Sequence, residues 1–196
     1  MKILGKILMT VAAAGLLTGA GAAAAESSSK VFGWIEKAEM MPWNIKVKAK
    51  LDSGALTSSI DARDVERFEK DGEDWVRFRF EMKDMDSGEK ASEDVERPLK
   101  RGLSVRGAGG SDERPVVLLN ICVGDKIFEE EFSLRDRGEM FYPVLLGRRT
   151  IAHLGLLDVQ KTFMHDAQCD DDTPVIKNDP DDAGASDDED DDQDDE

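Results

Sequence analysis

Trp43-Asn44-Ile45-Lys46-Val47-Lys48-Ala49-Lys50-Leu51-Asp52-Ser53-Gly54-Ala55 is the stretch that decides the reading of this 196-residue chain. An amphipathic run enters a tetrapeptide whose chemistry needs its residue types in that order. Asp52 supplies a carboxylate, the Ser53 hydroxyl can lock the loop by hydrogen bonding, and Gly54 admits another backbone where a Cβ would clash, a contact Ala55 then packs. The motif occurs once. Chemistry in which two carboxylates share one proton therefore requires a second copy of the chain, related by a twofold axis.

Working outward, Lys2 and Lys6 precede an apolar stretch from Ile7 to Leu17, followed by Ala22-Ala23-Ala24-Ala25 before Glu26. Residues 1–25 read as a cleaved secretory signal peptide rather than an anchor helix, because the strongly apolar part is short and its flank is rich in small residues. The mature protein is expected outside the cytoplasm without a stable membrane anchor, in the periplasm of a Gram-negative source. At the other end, Asp170 to Glu196 holds 15 acidic residues and one Lys, a net of −14 out of the chain's formal −17. Residues 166–196 are therefore expected to be a disordered, solvating acidic tail. Asp179, Asp181, Gly184, Asp187 and Asp190 fall at several calcium-loop offsets, but Ala183 occupies a ligand position and Asp190 replaces the bidentate Glu, so weak divalent-cation capture is the most such a tail would offer. Its charge argues against nucleic acid and anionic membranes as partners.

Residues 26–165 make one domain's length, enough for a single core. Trp75-Val76-Arg77-Phe78-Arg79-Phe80 has strand period, with Val76, Phe78 and Phe80 on one face and Trp75 opposite. Val116 to Val123, the turn Gly124-Asp125, and Phe128, Phe132 and Leu134 on the return predict a hairpin. Lys83 to Glu96 and Gly107 to Arg114 read as loops or hairpin tips, Asp64 to Glu69 as one or two helical turns, and Arg148 to Leu154, after Gly147, as a helix. Without helix–strand alternation, the fold is expected to be mainly β: a small, single-lobed, closed, mostly antiparallel β-barrel with one short C-terminal helix. Cys122 and Cys169 either pair in an oxidising compartment or stand free, one buried and one exposed.

A second segment, Tyr142-Pro143-Val144-Leu145-Leu146-Gly147-Arg148-Arg149-Thr150-Ile151, is an apolar strand ending in Gly-Arg and running into the helix. Together with Asp52-Ser53-Gly54-Ala55 it resembles the two signature elements of retropepsins, the single-lobed aspartic peptidases. The chain is more closely similar to the bacterial retropepsin-like endopeptidases often labelled ATP-dependent zinc proteases. The similarity runs through Ala49 to Ile60, Trp75 to Phe78, Arg114 to Val117, Phe132 to Arg137, and Met140 to Arg148. The 95 positions between Asp52 and Gly147 exceed the retroviral spacing and imply insertions. The zinc label finds no support, since the histidines, His153 and His165, form no His-Glu-x-x-His cluster; His153 reads as a surface or packing residue. No Gly-x-x-x-x-Gly-Lys-Ser/Thr phosphate loop occurs either. No metal and no cofactor is expected.

The resemblance implies an aspartic endopeptidase that acts on peptide or protein substrates as a homodimer, with Asp52 catalytic and Ser53, Gly54 and Ala55 supporting its loop. Gly147 and Arg148 then brace the site. The Gly-rich segment from Arg97 to Arg114 is the candidate flap, where Arg101, Arg106 and Arg114 either read an acidic substrate or are plain solvated charges. The competing expectation is an envelope protein that keeps the barrel as a non-catalytic binding or scaffolding module.

Overall fold

The computed structural model describes residues 29–107 and 110–177; the predicted signal peptide, residues 108–109 and the predicted tail from 178, with its calcium-like offsets, lie outside the described residues. In chain order the elements are β1 (Val31–Met41), β2 (Ile45–Leu51), β3 (Ser58–Asp61), β4 (Arg63–Lys70), β5 (Glu73–Lys83), β6 (Lys90–Pro98) and β7 (Arg101–Gly107). They continue with β8 (Gly110–Val123), β9 (Lys126–Arg135), β10 (Val144–Leu146), α1 (Arg148–Leu154), β11 (Leu156–Thr162) and β12 (Val175–Lys177).

Strands β1, β2, β10, β3, β9 and β8 pair in that order, and β8 returns to β1 through Ala38↔Val123 and Met40↔Ile121. The sheet thus closes on itself as a ring. β7, β11 and β12 hang on it as extra strands. Inward-facing residues follow the period-two pattern of each strand: Val47, Ala49 and Leu51 on β2, Val117, Leu119 and Ile121 on β8, and Phe132 and Leu134 on β9 are all buried. The hairpin of β8 and β9 forms as its sequence predicts, turning at Gly124 with Val123 opposite Lys126.

Not all pairing is antiparallel. β2–β10 and β3–β9 within the ring, and β1–β11 and β9–β12 outside it, run parallel. Within the ring, β2 reaches β10 and β3 reaches β9 through intervening strands rather than through a single crossover helix, so the absence of helix–strand alternation does not report on them.

Between β3 and β7 stands a separate sheet, β4-β5-β6. Its inner face presents Val76, Phe78, Phe80, Met82 and Val95 to the common core, and Trp43 stacks on Phe80 at 4.0 Å. The residues read as helical turns, Asp64 to Glu69, instead form β4, with a bulge between Arg63 and Glu66. The open edge of β5 offers backbone partners that an exposed two-turn helix would lack, and tertiary pairing overrides a weak local preference. The turn that joins the strands, Asp71-Gly72, has both residues at positive φ (55° and 81°), the geometry favoured in two-residue hairpin loops. Lys83 to Glu96 is mostly the paired ends of β5 and β6, and Gly107 to Arg114 is mostly β8 paired with β7.

The chain from Phe163 to Lys177 straps the barrel. The Phe163 amide donates to the Ile35 carbonyl (2.8 Å), and the amides of Met164 and His165 donate to the fully buried Glu36 carboxylate (3.1 and 3.0 Å). Glu36 also accepts the Gly33 amide at 2.6 Å, so the buried carboxylate is satisfied by three N–H groups. Cys122 and Cys169 are joined in a disulfide with Cα atoms 6.1 Å apart, and β12 pairs with β9 beyond it. Asp166 to Lys177, which composition assigns to the tail, is thus held against the barrel.

Candidate active site

Asp52 sits where β2 leaves the ring. Its amide donates to the Leu146 carbonyl (2.9 Å), extending the parallel β2–β10 register through Leu51↔Leu146. Ala55 closes the turn by donating to the Asp52 carbonyl at 3.3 Å. Because Lys50 and Asp52 are two residues apart and Leu51 between them is buried, both side chains emerge on the outer face. The carboxylate accepts two hydrogen bonds there: Lys50 Nζ to Oδ2 at 2.8 Å and the Gly54 amide to Oδ1 at 3.0 Å. The Lys50 ammonium holds the Asp52 carboxyl below its ordinary range; partial burial opposes this, and the Gly54 amide adds to it.

The second signature segment clasps the loop from the other side. The Arg148 amide donates to the Ala55 carbonyl (2.8 Å), the Arg149 amide to the Leu56 carbonyl (3.3 Å), and the Arg148 guanidinium reaches the Ser53 carbonyl at 3.4 Å. A Cβ on Gly147 would lie 2.7 Å from the Leu56 carbonyl oxygen and 2.8 Å from the Thr57 carbonyl carbon, so the close backbone approach that the motif suggests for Gly54 falls on Gly147. At Gly54 a Cβ would meet only the Asp52 side chain, at 3.2 Å. Ser53 is exposed, and among the described residues its hydroxyl makes no hydrogen bond.

Behind the loop runs a buried polar chain. The Gly147 amide donates to Ser58 Oγ (3.0 Å), Ser58 Oγ meets Thr150 Oγ1 (2.7 Å), and Thr150 donates to Glu130 Oε2 (3.0 Å). The other Glu130 oxygen meets His153 Nδ1 at 2.9 Å. Sequence reasoning did not find this chain as a unit, because Ser58 lies 92 positions from Thr150, and Thr150 lies 20 from Glu130. It also missed Arg137, whose amide donates to Asp61 Oδ1 (2.6 Å) and whose guanidinium donates to the Tyr142 carbonyl (3.1 Å) and Ser59 Oγ (3.2 Å). Burial pushes the Arg137 guanidinium below its ordinary value, with the Asp52 and Asp61 carboxylates acting the other way.

The candidate flap is the hairpin of β7 and β8. Arg101 at its base donates to Glu131 Oε2 (2.8 Å) and Thr57 Oγ1 (3.0 Å), while Arg114 donates to Asp112 Oδ2 (2.7 Å). Both guanidiniums are therefore engaged within the chain. Arg106 pairs through its backbone with Ser111, and its side chain lies outside the described atoms. A groove of about 620 Å³ runs between β4 and the ends of β8 and β9, lined by Arg63, Arg67, Arg114 and Arg135; one of about 260 Å³ is lined by Met82, Met85, Arg137, Met140 and Phe141. Asp52 lines neither groove. Among the described residues no group of three His, Cys, Asp or Glu side chains is placed to hold a metal ion.

Comparison with known proteins gives the chain relatives and a family. Over 118 residues the chain is 31% identical to proteins named probable alpha-L-glutamate ligase from Shewanella pealeana and Shewanella halifaxensis, covering 60% of this chain and 25% of each relative. The chain thus spans about a quarter of the length of the curated relatives it matches, and their name describes those whole proteins. The crystal structure of a Legionella pneumophila protein of unknown function (DUF785) matches with a TM-score of 0.58 and 32% identity, over 70% of this chain and 98% of that one. Residues 31–168, which contain both signature segments, match the family described as RimB-like, retropepsin-like aspartic endopeptidase RimB, and the chain belongs to that family.

Proposed function

We propose that two copies of this chain assemble into an aspartic endopeptidase, each contributing one Asp52. The observation that carries this reading is the loop itself. A single carboxylate is carried to the outer face of the ring, and its backbone is clasped by Gly147 and Arg148. Three features support a half-site: Asp52 lines neither of the two grooves described above, the Ser53 hydroxyl has no partner among the described residues, and β11 leaves an open edge with Leu156 and Val159 exposed.

Two Asp52 carboxylates at hydrogen-bonding distance cannot both ionise cheaply, so the pair holds one proton. The ionised member takes a proton from water, which attacks the scissile carbonyl, while the protonated member donates to the carbonyl oxygen. Arg148 braces the loop through the Ser53 carbonyl, and the hairpin of β7 and β8 covers the substrate. Residues 1–25 direct export. The Cys122–Cys169 disulfide fits that compartment, because such bonds persist where the surroundings oxidise.

Asp52→Asn is expected to abolish cleavage of an unstructured protein such as casein by the purified mature chain, while leaving its circular dichroism and unfolding midpoint unchanged. Equal turnover by both proteins would sink the peptidase reading. The competing reading, a non-catalytic binding module, is favoured by the same Lys50–Asp52 pairing, which occupies the carboxylate in the single chain. It predicts no turnover at any pH or concentration by the wild-type chain.

A further inference from the structure

β2 places Lys46, Lys48 and Lys50 on the face from which Asp52 emerges, and only Lys50 bonds to it. The ammonium and carboxylate are 2.8 Å apart, with the Lys50 and Asp52 side chains 35% and 28% exposed. Lys46 is drawn away to Asp86. The remaining groups around Asp52 are few. The turn contributes the Gly54 amide, α1 contributes Arg148, which bonds the Ser53 carbonyl, and the segment after β9 contributes the buried Arg137, whose amide is tied to Asp61. β10 contributes backbone only, through the Leu146 carbonyl, since Val144–Leu146 has no titratable side chain. Lys50 is thus the one side-chain donor on the Asp52 carboxylate among the described residues.

We infer that Lys50 is a positioning residue that keeps Asp52 ionised and aimed in the single subunit, and so sets the pH range in which a pair of Asp52 carboxylates holds one proton. Its use in a reaction rests on the peptidase reading above; the ion pair itself does not. The physical reason is charge balance. Two carboxylates brought together repel, which favours protonation; a cation bonded to each offsets that repulsion and lowers the pH at which each proton is taken up. Lys50 also fixes direction: with Oδ2 held by Lys50 and Oδ1 by the Gly54 amide, the carboxylate plane has one orientation. Removing the ammonium is expected to move the whole protonation sequence of the pair to higher pH. An arginine at the same place retains the charge.

The test compares wild type with Lys50→Met and Lys50→Arg in the full mature chain. The Asp52 carboxyl is titrated by carbon NMR on aspartate-labelled protein, with Asp52→Asn identifying the resonance. Lys50→Met should raise the Asp52 midpoint by about one pH unit, and Lys50→Arg should leave it near the wild-type value. An unchanged midpoint in Lys50→Met overturns the inference whether or not the protein has peptidase activity. In turnover, both limbs of the pH–rate profile of Lys50→Met should move upward together while those of Lys50→Arg stay; limbs that stay put despite a shifted midpoint overturn the role in the reaction. A shifted midpoint in a chain that turns over nothing upholds the ion pair and sinks the peptidase reading instead.

Discussion

At Gly147 one missing Cβ holds the site together. Backbone atoms of Leu56 and Thr57 occupy the space a methyl would need, at 2.7 and 2.8 Å, and those atoms belong to the connection between Asp52 and β3. Gly147→Ala is therefore expected to cost about 1–3 kcal/mol in urea unfolding and to lower any Asp52-dependent activity by displacing the loop. A stability change within about 0.5 kcal/mol would show that the loop yields freely. The neighbouring hydroxyls act differently. Thr150 links Ser58 to Glu130 in a site almost closed to water, so each of its hydrogen bonds is costly to leave unmade. The sequence made Asp52, Gly147 and Arg148 legible because they lie in short motifs. Ser58, Thr150, Glu130 and Arg137 carry no local signal, since a Ser or Thr becomes part of a buried network only when distant strands meet.

Among the elements, the hairpin of β5 and β6 is tied to the strand that carries Asp52. Asp84, at its turn, accepts the amides of Asp86 and Ser87 on Oδ1 and the Lys46 amide of β2 on Oδ2. The Ser87 amide first, then that of Lys46, pull the Asp84 carboxyl from 3.8 down to about 2. A carboxyl lowered in the folded state stabilises the protein above its unfolded value and loses that contribution as pH falls through its folded one. Asp84→Ala is thus expected to cost about 1 kcal/mol at neutral pH after allowance for solvent screening, and this deficit should shrink as pH falls from 4 towards 2. Urea unfolding of both proteins at pH 7, 4 and 2.5 measures it; a constant deficit would mean that the turn's bonds do not depend on the charge. At this scale β8, β9 and α1 were readable from apolar period and turn residues, whereas β4 was not. Its exposed, charged sequence takes strand form because β5 offers an edge, and the Asp71-Gly72 turn was the local sign of that hairpin.

The whole molecule is closed by long-range links. β8 pairs with β1 to complete the ring, Glu36 gathers amides from both ends of the described chain, and the disulfide ties Cys122 of β8 to Cys169 across 47 positions. Replacing Cys169 by Ser is expected to lower stability by about 2–4 kcal/mol, read as a lower urea midpoint that reductant no longer affects. A wild-type protein whose midpoint is unmoved by reductant would argue against this. Assembly makes a prediction of the same scale. Activity per chain should rise with concentration in step with the dimer fraction seen by sedimentation, because a single chain brings one Asp52. Activity that is constant across a concentration range where only monomer sediments would contradict the shared dyad.

By itself the sequence determined the β class, the central hairpin, the terminal helix, the single Asp-Ser-Gly-Ala loop and its Gly-Arg partner segment, because each is written in local period, turn chemistry or a short motif. Only the tertiary structure decided that the ring closes with parallel as well as antiparallel neighbours, that Cys122 and Cys169 pair, that the Glu130–Thr150–Ser58 chain supports the loop, and that Arg101 and Arg114 are spent within the protein. Those outcomes depend on which distant backbones come within hydrogen-bonding reach, and no spacing along the chain records that. The Lys50–Asp52 pair lies between the two. Its residues are two apart on one strand, yet their ion pair forms only because the ring exposes that face.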